Sequence, residues 1–426
     1  MRLLAVGDIH LGRQPTRLPE RVREQFDARA LGPAAAWERT VTQAIEQGVA
    51  GVLLAGDVVD DDNDFYEAYA DLRAGVVRLR EHGIEVIAVV GNHDVHVLPE
   101  LADALSDTGF RLLGQGGQWE SARIASGSEA VSVVGWSFPA PTVAASPLDL
   151  PLPEASGDRV IGLLHGDRDQ PTSPHAPLRS AALEAAPVDA WLLGHIHKPD
   201  ALSGTRPMGY LGSLGGLDPG EPGPHGPWLV TVGPDGVEAE QLPLAPLRWE
   251  TVDVPLDELA SADAVLSAIT QALQDLHRRI GGATHTPRAV GCRLRLTGRT
   301  AYREAISTRL ASDDPRGLAH EADGIVYFVE SWRLEALPAV DLATLATGSD
   351  PVGLLAQKVL VLRGEDNAER RQLIAGARQR LAAEVGKPPF DKLGAEPPDD
   401  ETTRELLERA ALRGLDALLA QGEEAD

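Results

Sequence analysis

A single cysteine, Cys292, stands in 426 residues, so no disulfide can form within the chain. That usage fits a reducing compartment. Aromatic residues are scarce too, with six Phe, five Tyr and seven Trp, which leaves Ala, Val and Leu to fill the core. No stretch reaches the about 18 uninterrupted apolar residues that a membrane-spanning helix needs. The apolar start Leu3-Leu4-Ala5-Val6 is cut off by Gly7-Asp8 and is too short for a signal peptide. A soluble, cytoplasmic protein is expected. Positive charge is also short: 39 Lys and Arg face 64 Asp and Glu, a net charge of −25. Such a chain repels nucleic acid on average, so any DNA contact needs a local basic patch or a partner.

What is present is a regular alternation. The length predicts two or three domains. Short apolar runs at Leu3–Val6, Gly51–Ala55, Val86–Val90, Val131–Val134, Val160–Leu164 and Ala190–Leu193 have the length of buried strands. Helical stretches, Ala34–Gln47 and Asp64–His82, separate the early ones, which indicates an α/β core covered by helices. Val230–Val232 and Val237–Leu242, joined at Gly233-Pro234-Asp235-Gly236, predict a closing hairpin. The expected boundaries are a catalytic domain over 1–246, a small α/β domain over 247–345 and a helical region over 346–426. In the second, Trp249–Val254, Val290–Thr297 and Ile325–Leu334 read as strands, and Ala262–Ile280 and Thr300–Ala311 as helices. In the third, Leu373, Ala377, Leu381 and Val385 share one helical face, and Leu407, Ala411, Leu415 and Leu418 share another. A Pro-rich break from Lys387 to Pro398 divides them, so the pair reads as a docking arm rather than a core.

Five short motifs fall where predicted strands end: Asp8-Ile9-His10, Gly56-Asp57-Val58-Val59-Asp60, Gly91-Asn92-His93-Asp94, His165-Gly166-Asp167, and Gly194-His195-Ile196-His197. Sites in α/β sheets are built at the carboxyl ends of strands. In an extended chain residues i and i+2 face one side, so Asp8 with His10, and His195 with His197, could each reach one ion together. Each motif alone has an ordinary explanation as turn chemistry or a hydrogen-bonded core histidine. Five in order do not. Carboxylate, imidazole and amide oxygen without thiolate favour a borderline-hard divalent ion, manganese first, with iron or zinc as alternatives.

These motifs resemble the signature of the calcineurin-like metallophosphoesterases. His10-Leu11-Gly12, Gly194-His195-Ile196-His197-Lys198-Pro199 and Tyr210-Leu211-Gly212-Ser213-Leu214-Gly215-Gly216 are similar to the SbcD/YhaO-type DNA-repair exonuclease branch, with a looser likeness at Arg293–Gly298. The resemblance implies a four-layer α/β/β/α sandwich with a small α/β cap and a helical C-terminal tail. It also implies one metal on Asp8, His10, Asp57 and His197, and a second on Asp57, Asn92, His165 and His195. His93 would protonate the leaving oxygen as metal-activated hydroxide attacks a phosphodiester. Asp60 and Asp94 would orient the imidazoles. The C-terminal helices would contact an SbcC-type ATPase, and relatives of this kind are often dimeric.

Two features bear on the substrate. After Asp60 the chain continues Asp61-Asp62-Asn63-Asp64 where phosphoprotein phosphatases of the superfamily carry an arginine, which argues against that branch and reads as a helix-capping cluster. Against the acidic balance stand Arg288, Arg293, Arg295 and Arg299, in a stretch where Val290, Cys292, Leu294 and Leu296 would face inward and the arginines outward. This edge is expected to guide a DNA backbone, with Arg13 and Arg17 as a second pair. An ordinary solvated face is the alternative. His96, His175 and His225 read as loop residues without a role. The function expected is a DNA nuclease; a hydrolase of small phosphoesters, or a non-catalytic scaffold of an ATPase complex, are the alternatives.

Overall fold

A computed structural model of the chain describes all residues except 61–64, 155–158, 258, 386–397 and 424–426. The expected acidic capping cluster and most of the Pro-rich break lie outside the described residues. Two compact units make up the chain, Met1–Leu337 and Pro338–Asp426.

The first unit is built on two sheets. Strands β1 (Arg2–Val6), β2 (Gly51–Ala55), β3 (Glu85–Val89) and β4 (Phe110–Leu112) run parallel. The predicted hairpin, β10 (Trp228–Gly233) and β11 (Gly236–Gln241), adds antiparallel to β1, giving the order β11-β10-β1-β2-β3-β4. The second sheet, β5-β6-β7-β8-β9, comprises β5 (Trp119–Ser126), β6 (Glu129–Trp136), β7 (Arg159–His165), β8 (Ala190–Gly194) and β9 (Met208–Tyr210). Alternate residues of the two sheets meet in a dry layer: Leu3, Ala5, Leu53, Ala55, Ile87 and Val89 from one, Ile124, Val131, Val133, Ile161, Leu163 and Leu192 from the other. Each of the Leu, Ile and Val side chains contributes about 1.5–3 kcal/mol when fully buried. On the far side of the first sheet lie α2 (Pro33–Gln47), α3 (Phe65–Glu81) and α4 (Val97–Ala104), burying Trp37, Val41, Leu72, Val76 and Leu98. On the second, the short α5 (Ser180–Ala185) seats Leu183, whose carbonyl accepts the Trp191 indole N–H at 2.9 Å. The layers thus run α/β/β/α. Strands β4, β5 and β9 escaped the sequence reading because they are short or only half apolar.

A third sheet follows, with β12 (Leu247–Pro255), β13 (Ala289–Thr297), β15 (Ala319–Ala322) and β16 (Ile325–Leu334) in the order β12-β13-β16-β15. The helix expected over Thr300–Ala311 begins only at Arg303, because Arg299–Thr300 forms the short strand β14 and α7 takes Arg303–Ser312. One face of this sheet packs on α6 (Val265–Ile280) through Ile269, Leu273, Leu294 and Tyr327. Its other face packs Trp249, Val326 and Phe328 against Leu18, Val22 and Leu31, which flank and include α1 (Glu20–Gln25). The segment just past His10 is therefore pinned to this sheet.

The second unit is helical, with α8 (Leu342–Leu345), α9 (Pro351–Arg363), α10 (Ala368–Val385) and a last helix, Asp400–Glu423. Its core is small: Leu342, Ala356, Val359 and Leu415. Leu415 packs inside its own unit, whereas α10 fully buries no residue. Among the described residues no helix is long and apolar enough to cross a membrane.

Candidate metal centre

The five motifs meet at one end of the two-sheet sandwich. Asp8 follows β1, Asp57 follows β2, Asn92 and His93 follow β3, His165 ends β7, and His195 and His197 follow β8. Loop backbones lock the ends together: His10 N–H donates to Asp57 O at 3.0 Å, Leu11 N–H to Val58 O at 2.9 Å, and Leu214 N–H to Asp8 O at 3.3 Å. Asp8, His10, Asp57 and His165 are almost fully buried, while His93 is exposed.

The donors form two groups joined by one carboxylate. Asp8, His10 and His197 cluster on one side; Asp57, His165 and His195 cluster on the other. Asp57 Oδ2 lies 3.3 Å from His165 Nε2 and 3.9 Å from His10 Nε2, so it reaches both. Asn92 Oδ1 sits 2.9 Å from His165 Nε2 and 3.0 Å from His195 Nδ1, in the second group. His195 and His197 therefore separate, one to each group, and do not share an ion as simple alternation would have it. The reason is local. Asp8, His10, Asp57 and His195 have φ of 39°, 53°, 48° and 104°, so these segments turn sharply and strand periodicity does not apply. Non-glycine residues held there cost about 1–3 kcal/mol each, and such strain clusters at functional sites.

The hydrogen bonds decide whether cations fit. His165 Nδ1 donates to Ala55 O at 3.0 Å, and His197 Nδ1 donates to Glu221 Oε1 at 2.7 Å. With those outer nitrogens engaged, each ring turns Nε2 inward. His197 Nε2 faces His10 Nε2 at 3.2 Å, and His165 Nε2 faces Asn92 Oδ1. Nitrogen facing nitrogen, and two ring nitrogens meeting one amide oxygen, bring together donor atoms that a cation between them could share. His10 Nδ1, buried without a partner among the described residues, adds another polar atom at this place. Burial lowers His10 to about 3, with His197 adding to the effect against the pull of Asp57. Burial and His165 take His195 down to about 4, so both rings are neutral near pH 7. For Asp57 burial raises the pKa, but His165 and His10 outweigh it and keep the carboxyl ionised. His165 is the counterpart: burial lowers it, yet Asp57 and Asp8 lift it to about 9. Asp8, Asp57 and the surrounding imidazoles offer the oxygen and nitrogen donors that divalent ions take.

Other predicted residues stand differently. Asp94 does not orient an imidazole: Oδ1 accepts Gly91 N–H and Oδ2 accepts Val58 N–H, both at 2.7 Å. Burial and Asp57 raise this carboxyl to about 8. Asp60 is half-buried, its N–H bonded to Leu11 O. His93 N–H donates to Asp57 Oδ1 at 2.9 Å, and its ring centroid is 5.5 Å from that of His10. Arg293 and Arg295 do point outward, but not as free cations. Arg293 Nε donates to Glu330 at 3.1 Å, and Arg295 holds both oxygens of Asp253 at 2.7 and 2.8 Å. Arg288 lines a cleft of about 590 Å³ with Arg29, Glu38 and Arg78, none of them a candidate ligand. The Arg299 N–H donates to Asp257 at 3.0 Å.

Three residues were missed as contributors. Glu221 holds His197, Asp167 Oδ1 lies 3.3 Å from His195 Nε2, and the His175 ring lies tilted against His195 with centroids 5.1 Å apart. His225 is buried too, bonded to Ser213 and to the Glu221 carbonyl.

The chain carries a calcineurin-like metallophosphoesterase domain: residues 1–199 match the family described as Calcineurin-like phosphoesterase. Residues 249–336 match the family described as Metallophosphoesterase YhaO, middle domain. Among curated relatives, the "Uncharacterized metallophosphoesterase YhaO" of Bacillus subtilis is 26% identical over 56% of this chain and 59% of its own. The "DNA double-strand break repair protein Mre11" of Haloferax volcanii is 28% identical over 60% of this chain and 56% of its own. The chain thus spans under two thirds of either relative. A solved dimetal phosphatase from Danio rerio aligns over 57% of this chain and 95% of its own, at 13% identity and a TM-score of 0.36. The family hydrolyses phosphoesters with two divalent metals. The resemblance read from the motifs is borne out.

Proposed function

We propose that this protein is a two-metal phosphodiesterase whose substrate is DNA, with manganese as the ion and a cytoplasmic site of action. The observation that carries the metal reading is Asp57, one carboxylate within reach of donors on both sides. Asp8, His10, Asp57 and His197 would hold one ion, and Asp57, Asn92, His165 and His195 the other. When bound, such a pair supplies Lewis acidity and lowers the pKa of water. The protein's own part is to present the imidazoles, keep Asp57 ionised and hold His93 exposed at the rim. There His93 delivers a proton to the leaving oxygen, a contribution worth about 10²–10⁴ in rate.

DNA as substrate draws support from the name of the Haloferax volcanii relative. In this reading residues 1–246 are catalytic, 247–345 guide the backbone through Arg288, Arg293, Arg295 and Arg299, and 346–426 dock an SbcC-type ATPase. The sparsely buried α10 suits such docking, and the chain would act as a homodimer. A second reading, hydrolysis of a small phosphoester, is favoured by the net charge of −25 and the carboxylates already paired with Arg293 and Arg295. The deciding experiment compares linear duplex DNA, single-stranded DNA and bis-p-nitrophenyl phosphate with manganese present, using His93→Ala as control. Cleavage of DNA that His93→Ala abolishes is expected. Cleavage of the small ester alone selects the second reading.

A further inference from the structure

The two histidines of Gly194-His195-Ile196-His197 lie two residues apart yet turn opposite nitrogens to the centre. His197 presents Nε2, 3.2 Å from His10 Nε2. His195 presents Nδ1, 3.0 Å from Asn92 Oδ1. A neutral imidazole carries one proton, so the nitrogen left over fixes which atom can ligate. In both rings that outer nitrogen meets a carboxylate: Glu221 at His197 Nδ1, 2.7 Å, and Asp167 at His195 Nε2, 3.3 Å.

Resting on the two-metal reading, we infer that Glu221 and Asp167 are positioning residues, each selecting the tautomer of one histidine and each setting the affinity of one ion. Glu221 governs the ion on Asp8, His10 and His197; Asp167 governs the ion on Asp57, Asn92, His165 and His195. Both carboxylates are themselves held. Glu221 Oε2 accepts Leu217 N–H at 3.0 Å and the Ser213 hydroxyl at 3.3 Å. Ser213 N–H in turn donates to His197 O at 2.9 Å, closing a ring of bonds around that histidine. Asp167 accepts the Ser173 hydroxyl, and its own N–H donates to His175 O at 2.9 Å.

Asp167, His175 and His195 also have the donor types and spacing of an ion site of their own. The tautomer argues against that use. With Nδ1 of His195 given to the ion it would share with Asn92, its single proton sits on Nε2, 3.3 Å from Asp167 Oδ1, so no lone pair remains there for another cation. The group is a support for His195. Partners of this kind typically change metal affinity by about 10–100-fold.

The test is a calorimetric titration of the full chain with Mn²⁺, with thermal melting to verify folding. The unsubstituted chain is expected to take two ions. Glu221→Ala should weaken one of them about 10–100-fold and leave the other unchanged. Placed in a His197→Ala background it should add nothing, and in a His195→Ala background it should keep its full effect. Asp167→Asn should behave in the mirror sense. Because Glu221→Ala also strands Leu217 N–H, Glu221→Gln, which keeps the shape, serves if the alanine variant melts early. Folded variants that weaken both ions equally, weaken neither, or add to the histidine substitution on their own side would overturn the inference. An unsubstituted chain that takes up no ion fails differently, by removing the two-metal reading itself.

Discussion

Asp94 Oδ2 accepts the backbone N–H of Val58 at 2.7 Å, across 36 residues of sequence, while its other oxygen accepts Gly91 N–H. One buried side chain thus fastens the loop after β2 to the loop after β3, and those loops carry Asp57 and Asn92. Asp94→Ala leaves two buried donors without partners. Each stranded donor costs about 1–3 kcal/mol. The variant is expected to unfold at clearly lower denaturant than the parent, with no metal present. Equal midpoints would show that water or another acceptor replaces the carboxylate.

Gly91 makes a sharper prediction, because the cause is steric. A Cβ at this position would overlap Asp57 Oδ1 and the backbone N of Asp57. Gly91 has no positive φ, so the objection to alanine here is space and not conformation. The carboxylate that reaches both donor groups must move aside in Gly91→Ala. Loss of both ions in a Mn²⁺ titration is expected, since Asp57 belongs to each group. A variant that still binds two ions at parental affinity would show that Asp57 is not shared.

The parts of this site that were legible in sequence share one property: each is polar and interrupts an apolar run. Asp57 after Gly51–Ala55, and His195 after Ala190–Leu193, declare themselves because β2 and β8 are buried along their whole length. Glu221 could not be found that way. It stands in Asp218-Pro219-Gly220-Glu221-Pro222-Gly223, where an acid looks like any turn residue. Nor does sequence carry the left-handed φ of Asp8, His10, Asp57 and His195, which decides that the two histidines part company. The acid partners of the arginine edge stayed hidden for a third reason. Arg295 pairs with Asp253 because β12 and β13 run parallel with those two residues in register, a relation between segments 42 residues apart. In the fold itself, long buried strands were legible, while β4 and β9, three residues each, left too little pattern.

The same edge of the third sheet yields the last prediction. Glu330 accepts from Arg17 at 3.2 Å through one oxygen and from Arg293 at 3.1 Å through the other. Burial raises its pKa, but hydrogen bonds from Ser331, Arg293 and Arg17 outweigh this and keep it ionised. One carboxylate thus occupies a cation from the segment after His10 and a cation from β13. Arg17 is exposed and Arg293 partly so, which leaves both open to a phosphate that competes with the sheltered Glu330 carboxylate. Glu330→Gln removes the competitor and leaves both guanidinium groups in place. If this edge meets DNA, the variant should bind duplex more tightly than the parent at low salt. Its log K against log salt should also steepen by about 0.9 for each arginine that gains a phosphate. Arg293→Glu with Arg295→Glu should do the reverse, weakening binding and flattening the slope. Opposite responses from the acid and base substitutions would place the nucleic acid on this face. A flat response to both would leave Glu330, Arg17 and Arg293 as a clasp between the segment after His10 and the third sheet, with no substrate role.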